Sequence, residues 1–147
     1  MQKIPFNEAL CAVQNLTPVY AARTVRTADA AGCILAEPVY AKYSVPPAPV
    51  SAMDGFAVKA ADTIDASAEN PLTLTVFDRV NTGNVVRDEF DAVIMVEDVE
   101  FDGSDAPAEI TSRAPIKAGR NVRATGEDIA EGRMVLPAGA RIRPFDI

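Results

Sequence analysis

The sequence contains no histidine. That absence excludes His-based general acid/base catalysis, Ser-His-Asp and Cys-His nucleophile systems, and His-ligated zinc from this chain. A metal bound here would rest on oxygen ligands, which favours a hard ion such as magnesium. The two cysteines, Cys11 and Cys33, fit neither a disulfide framework nor a C-x-x-C redox or zinc motif. They read as small buried apolar residues of a cytosolic protein. No run approaches 18 consecutive apolar residues, which argues against a membrane-spanning helix. The opening MQKIPFNEAL lacks a basic region followed by an apolar stretch, so it is not expected to be a signal peptide. Lys and Arg form no cluster, and 14 of them against 21 Asp and Glu leave a net charge of -7. Phosphate neutralisation needs clustered cations, so a nucleic-acid partner is not expected. The expectation is a soluble, cytoplasmic protein with neither nucleic acid nor membrane among its partners.

What is present is ordinary globular material. A chain of 147 residues, 48% hydrophobic and 24% charged, supports one or two small domains with a real core. The first segment is predicted helical, with Asn7 as N-cap, Glu8 in the first turn, Phe6 and Cys11 as a hydrophobic staple, and Leu10, Val13 and Leu16 on one face. Thr17-Pro18 is expected to end it. A second short helix is predicted from a Thr27 cap through Ala31, with Gly32 in the left-handed stop. Beyond Glu37 the pattern turns to short β-type runs broken by Pro and Gly. Val45 to Val50 carries three prolines and reads as a rigid connection between two bodies.

Phe56-Ala57-Val58 and Leu72 to Val76 read as strands, and Ala92 to Val96 as a strand covered on both faces. Phe101 to Ser104 supplies turn chemistry for a hairpin between that last run and Glu109-Ile110-Thr111. Ala60 to Asn70 is polar enough for a mobile loop, and Arg133 to Leu136 and Ala140 to Arg143 are predicted as two short strands. The fold class is mainly β with a few short helices, an α+β chain whose helix is confined largely to its first third.

Three segments combine turn residues with polar groups that strand-making alone does not require. Ser51-Ala52-Met53-Asp54-Gly55 puts a carboxylate between a proline-stiffened approach and a strand, with small neighbours that let another surface come close. Asn81-Thr82-Gly83-Asn84 sets a hydroxyl and two amides around a glycine, a turn able to present N–H groups to an anion, although no Gly-Lys-[Ser/Thr] follows. Arg123-Ala124-Thr125-Gly126-Glu127-Asp128 ends on two adjacent carboxylates. Each alone is an ordinary turn. Lining one cleft, they could bind a magnesium-phosphate ligand through oxygen atoms and backbone amides.

At these residues the chain resembles the N-terminal region of the molybdopterin molybdenumtransferase family, MoeA in bacteria and the E domain of gephyrin in animals. Ser51 to Val58 is similar to the family's S-A-M-D-G-[YF]-A-V, and Ala31 to Glu37 to its A-L-G-R-V-L-A-E. Thr82-Gly83 leading into Asp91 to Ile94, and Arg123 with Gly126-Glu127-Asp128, match two further motifs in order. The resemblance implies insertion of molybdenum from molybdate into adenylylated molybdopterin, with a divalent cation, magnesium, by an elongated homodimer. It implies two lobes with bifurcated, coiled sheets: residues 1–44 with 130–147 as a linker and dimerisation lobe, and 45–129 as a β-rich lobe. It implies catalytic roles for Asp54, Thr82 and Asp128, with Asp54 and Asp128 toward the metal. Ser51, Gly55, Gly83, Arg123, Gly126 and Glu127 would be substrate-binding.

The family usually has T-G-A-x-[LV]-P-x-G-A-D-A-V where this chain has Thr82-Gly83-Asn84-Val85-Val86-Arg87-Asp88-Glu89-Phe90-Asp91-Ala92-Val93. The loop after Thr82 is therefore expected to be shaped differently and the β lobe to be trimmed. Relatives continue after the position of Ile147 into the αβα domain that cradles the pterin. On this reading the chain is an N-terminal portion, inactive alone. The alternative is a non-catalytic interaction or scaffold module of the same descent.

Overall fold

The computed structural model describes residues 3–16 and 21–147. Its elements are one helix, α1 (Phe6–Gln14), and ten short strands: β1 (Val39–Tyr40), β2 (Val50–Ser51), β3 (Gly55–Val58), β4 (Leu72–Leu74), β5 (Asp78–Val80), β6 (Ala92–Met95), β7 (Val99–Glu100), β8 (Ile110–Ser112), β9 (Val122–Arg123) and β10 (Met134–Leu136). The chain divides into two units, Met1–Pro38 with Pro137–Ile147, and Val39–Leu136. The mainly β class is as expected, with the regular helix reduced to α1 and 3-10 turns elsewhere.

In the first unit, α1 begins from Pro5 in extended conformation and makes no side-chain cap bond. Asn7, expected as the cap, is already inside the helix, because Pro5 supplies the fixed φ that a helix start needs. Phe6, Leu10 and Val13 are all exposed, so the apolar face is not covered, and Cys11 is exposed as well, contrary to its expected burial. Cys33 is half-buried. The expected stop at Thr17-Pro18 lies outside the described residues. The second helix shrinks to a 3-10 turn, Thr27–Asp29, entered from Arg26, since three residues close too few bonds for an α-helix. Gly32 follows with φ +83°, and its N–H donates to Ile142 O at 2.8 Å. The final pair of strands is corrected at Ala140 to Arg143, which forms only an isolated bridge, Ile34 to Arg141. Pro144 has no N–H to extend it.

The second unit holds four small sheets, ordered β1-β10, β2-β9, β5-β3-β6 and β4-β8-β7. Residues 39–44 and 130–136, expected in the lobe of the two chain ends, fall in this unit, where β1 pairs with β10. The core is built on β3, every residue of which is buried. Alternation along the strand sends Phe56 and Val58 to one apolar cluster and Ala57 to the other. Strand β6 does the same, with Ala92 and Ile94 on the first side and Val93 on the second. That two-sided burial is why its sequence is continuously apolar. Phe56 meets Phe77 and Phe101 edge-on at centroid distances of 5.4 and 5.2 Å.

The strand expected over Leu72 to Val76 stops at Leu74. The hairpin across Phe101 to Ser104 forms between β7 and β8; β6 pairs with β3 in another sheet, and the 3-10 turn Val96–Asp98 separates it from β7. Ala60 to Asn70 is no free loop at its start: Ala60–Thr63 is a 3-10 turn, and Ala60, Thr63 and Ala66 are buried. The Thr63 hydroxyl donates to Ala60 O at 2.8 Å and accepts from the Ile116 N–H at 3.0 Å.

Candidate functional site

The Asp54 turn leaves β2 and enters β3, and both strands fix it. Ser51 is buried, its Oγ donates to Met53 O at 2.5 Å, and its backbone makes two bonds to the second motif. Gly83 N–H donates to Ser51 O at 2.8 Å, and Ser51 N–H donates to Asn84 O at 2.8 Å. Gly83 takes φ +87°, which a side chain would resist, and so closes the turn. The Thr82 turn is thereby laid against the Asp54 turn. Thr82 donates its backbone N–H and its hydroxyl to Asp54 Oδ1, at 2.6 and 3.1 Å.

These two bonds, the backbone one first, hold the Asp54 carboxyl below its ordinary range. The group is exposed, ionised and oriented, with Oδ1 engaged and Oδ2 free of any protein donor among the described residues. Gly55 acts through backbone approach. A Cβ there would stand 2.0 Å from Ile94 O, so only glycine lets β3 lie at its distance from β6 directly after Asp54.

The third motif is a separate cluster. Arg123, on β9, donates Nε–H to Glu127 Oε1 at 3.0 Å and an Nη2–H to Asp128 Oδ1 at 2.5 Å. The Asp128 bond and then the Glu127 bond raise the Arg123 pKa above its already high value. One cation faces two carboxylates, which leaves the cluster with one net negative charge. Gly126, at φ +72°, donates to Pro46 O at 2.9 Å, and Asp128 N–H donates to Val45 O at 3.0 Å. The stretch Val45 to Val50, with a cis Val45–Pro46 bond, thus runs inside the second unit as the bed of this turn.

The structure joins Asp54 to Thr82 and Ser51 to Gly83 directly. Arg123 is joined to them through the β2–β9 ladder, in which Val50 faces Arg123 and Ser51 faces Val122. Between Asp54 or Thr82 and the carboxylates of Glu127 and Asp128 there is no hydrogen bond among the described residues. No three His, Cys, Asp or Glu converge there or elsewhere among the described residues. The described residues build no complete metal cage.

Sequence reasoning missed Asn121. Its φ is +58°, its backbone oxygen accepts from Ala52 N–H at 2.9 Å, and its Nδ2 donates to Val93 O at 2.8 Å. It ties the Asp54 turn to β6 two residues before Arg123. The available signal was its residue type, because asparagine tolerates the left-handed region better than other side chains.

A family model described as the MoeA N-terminal region (domain I and II) matches residues 4–147. A molybdopterin molybdenumtransferase of Bacillus subtilis is 30% identical over 159 residues, covering 96% of this chain and 37% of the relative. One from Staphylococcus aureus is 29% identical, with the same coverage of 96% and 37%. Among solved structures, the molybdopterin biosynthesis MoeA protein of Pyrococcus horikoshii OT3 superposes with a TM-score of 0.85 at 30% identity, over 99% of this chain and 42% of that one. The chain spans well under half the length of these proteins.

Proposed function

The chain belongs to the MoeA N-terminal-region family, and on that premise we propose that it serves molybdenum cofactor biosynthesis as the N-terminal portion of a molybdenumtransferase. The reaction is insertion of molybdenum from molybdate into adenylylated molybdopterin, in the cytoplasm, by a homodimer. The observation that carries this reading is the pair of bonds from Thr82 to Asp54, which binds two distant family motifs into one prepared carboxylate.

The roles follow from chemistry. Asp54, kept ionised and aimed by Thr82, offers its free oxygen to a cation or a substrate proton. Thr82 orients that carboxylate and contributes a hydroxyl. Asp128 and Glu127, steered by Arg123, supply a second acidic surface, and Ser51, Gly83 and Gly126 shape the turns that bring backbone near substrate. Magnesium needs only one or two carboxylates alongside substrate phosphates and water, so Asp54, whose second oxygen has no protein donor among the described residues, would be the protein's ligand, with Asp128 as the further candidate in the separate Arg123 cluster. The bound ion would supply Lewis-acid polarisation of an oxyanion. The exposed face of α1, Phe6 with Leu10 and Val13, supports self-association.

The test is transplantation. This chain replaces the matching 37% of the Bacillus subtilis relative, and molybdate-dependent cofactor formation is measured. Restored synthesis supports the reading. A folded chimera without synthesis favours the scaffold alternative, to which the charged loop after Thr82, with Arg87 paired to Asp78 and Glu89, already gives weight.

A further inference from the structure

We propose that a concavity of about 620 Å³ in the second unit binds a small organic phosphate. Its cationic side is Lys117 and Arg120, and its apolar floor is Ile94, Met95 and Ile116. The two cations bracket one turn, Lys117-Ala118-Gly119-Arg120, closed by Arg120 N–H to Lys117 O at 3.0 Å, with Gly119 at φ +78° as a type II turn requires. First and fourth residues of such a turn have Cα atoms within about 7 Å, and both Lys117 and Arg120 line the one concavity.

The turn is also fixed in place. Gly119 N–H donates to Asp91 O at 2.7 Å, Val93 N–H donates to Arg120 O at 3.0 Å, and Ile116 N–H donates to the buried Thr63 hydroxyl. Neither Lys117 nor Arg120 has a carboxylate partner among the described residues, whereas Arg113, on the same rim, is held by Glu100 at 2.7 Å. The backbone N–H of Lys117 also finds no acceptor among the described residues. Asp98 is the one acidic residue of the lining. Two uncompensated cations against it leave the rim positive on a chain whose net charge is -7. A phosphoryl group suits that rim through charge-assisted hydrogen bonds. The apolar floor and the volume exceed what inorganic phosphate fills, which selects a phosphate carried on an organic body. The site lies within the second unit and makes no use of Asp54, Thr82 or Asp128.

The experiment is an amide NMR titration of the chain at constant ionic strength with phenyl phosphate, inorganic phosphate and sodium chloride. Phenyl phosphate is expected to shift Met95, Ile116, Lys117 and Arg120, with an affinity on the order of 1 mM and several-fold tighter than inorganic phosphate. The variant K117A/R120A, altered only at exposed side chains, keeps a dispersed spectrum and loses roughly tenfold in affinity. The Met95→Ala variant lowers the preference for the phenyl ester. Equal response to both phosphates, shifts spread over Arg23, Arg26 and Arg141 as well, or no response would each overturn the proposal.

Discussion

Thr82 donates two hydrogen bonds to a single oxygen of Asp54, one from its backbone at 2.6 Å and one from its hydroxyl at 3.1 Å, across 28 positions of chain. The pair makes the Asp54 turn and the Thr82 turn one object. The backbone bond needs no particular side chain at position 82, whereas the hydroxyl bond does.

That division predicts graded effects. Thr82→Val removes the hydroxyl and keeps the N–H, so the Asp54 carboxyl should move part of the way back toward its ordinary value near 4. Carbon-detected NMR titration of the carboxyl carbon measures it. An unchanged titration would show that the hydroxyl contributes nothing.

The pH dependence has a definite sign. A carboxyl lowered on folding contributes stability that is fully present above its unfolded value near 4 and is lost as pH falls through the folded value. Asp54, Glu100 and Asp146 are all lowered, by Thr82, Arg113 and Arg143 in turn. Stability should therefore be flat from neutrality down to about pH 5 and decline below pH 4. Urea unfolding at several pH values checks this. A decline already between pH 7 and 6 would contradict it, because no histidine is present to titrate there.

Gly55→Ala should be among the most damaging single-atom additions. The new Cβ would meet the backbone at Ile94 O, which cannot swing aside as a side chain could. Loss of about 3 kcal/mol or more is expected, by denaturant unfolding. A change under about 0.5 kcal/mol, the level of an ordinary surface substitution, would show that β3 and β6 are not held as described.

Thr63→Val preserves shape and removes the hydroxyl that joins Ala60 O to the Ile116 N–H in the core. Two polar groups lose their partner together, at roughly 1–3 kcal/mol. The same unfolding measurement reads it, and a neutral result would mean water replaces the hydroxyl.

Much of this architecture was legible because period-two burial writes itself into residue type. Phe56-Ala57-Val58 and the run from Ala92 follow from two clusters on opposite faces of β3 and β6. The failures have physical causes as well. Asn7 looked like a cap because its type is right, but Pro5 was already extended and started the helix earlier. The apolar stripe of α1 looked like a core face, yet Phe6 and Val13 are 78% and 63% exposed, because a stripe on a single helix does not show what covers it. The hairpin's first strand was misread, because the break between β6 and β7 is a 3-10 turn at Val96–Asp98 that the continuous apolar run does not announce. Of the site candidates, Asp54 and Thr82 were singled out from motifs, but their bond was not. Contact between turns 28 residues apart depends on Ser51 accepting from Gly83, a backbone event without a side-chain signature.

The central claim is that the ionised Asp54 oxygen acts in molybdenum insertion. It is tested most directly by Asp54→Asn in the chimera with the Bacillus subtilis relative, measuring molybdate-dependent cofactor formation beside thermal unfolding. Asparagine can still accept from Thr82, so the turn and the unfolding temperature should persist while synthesis falls by about tenfold or more. Undiminished synthesis in the folded Asp54→Asn chimera would contradict the account.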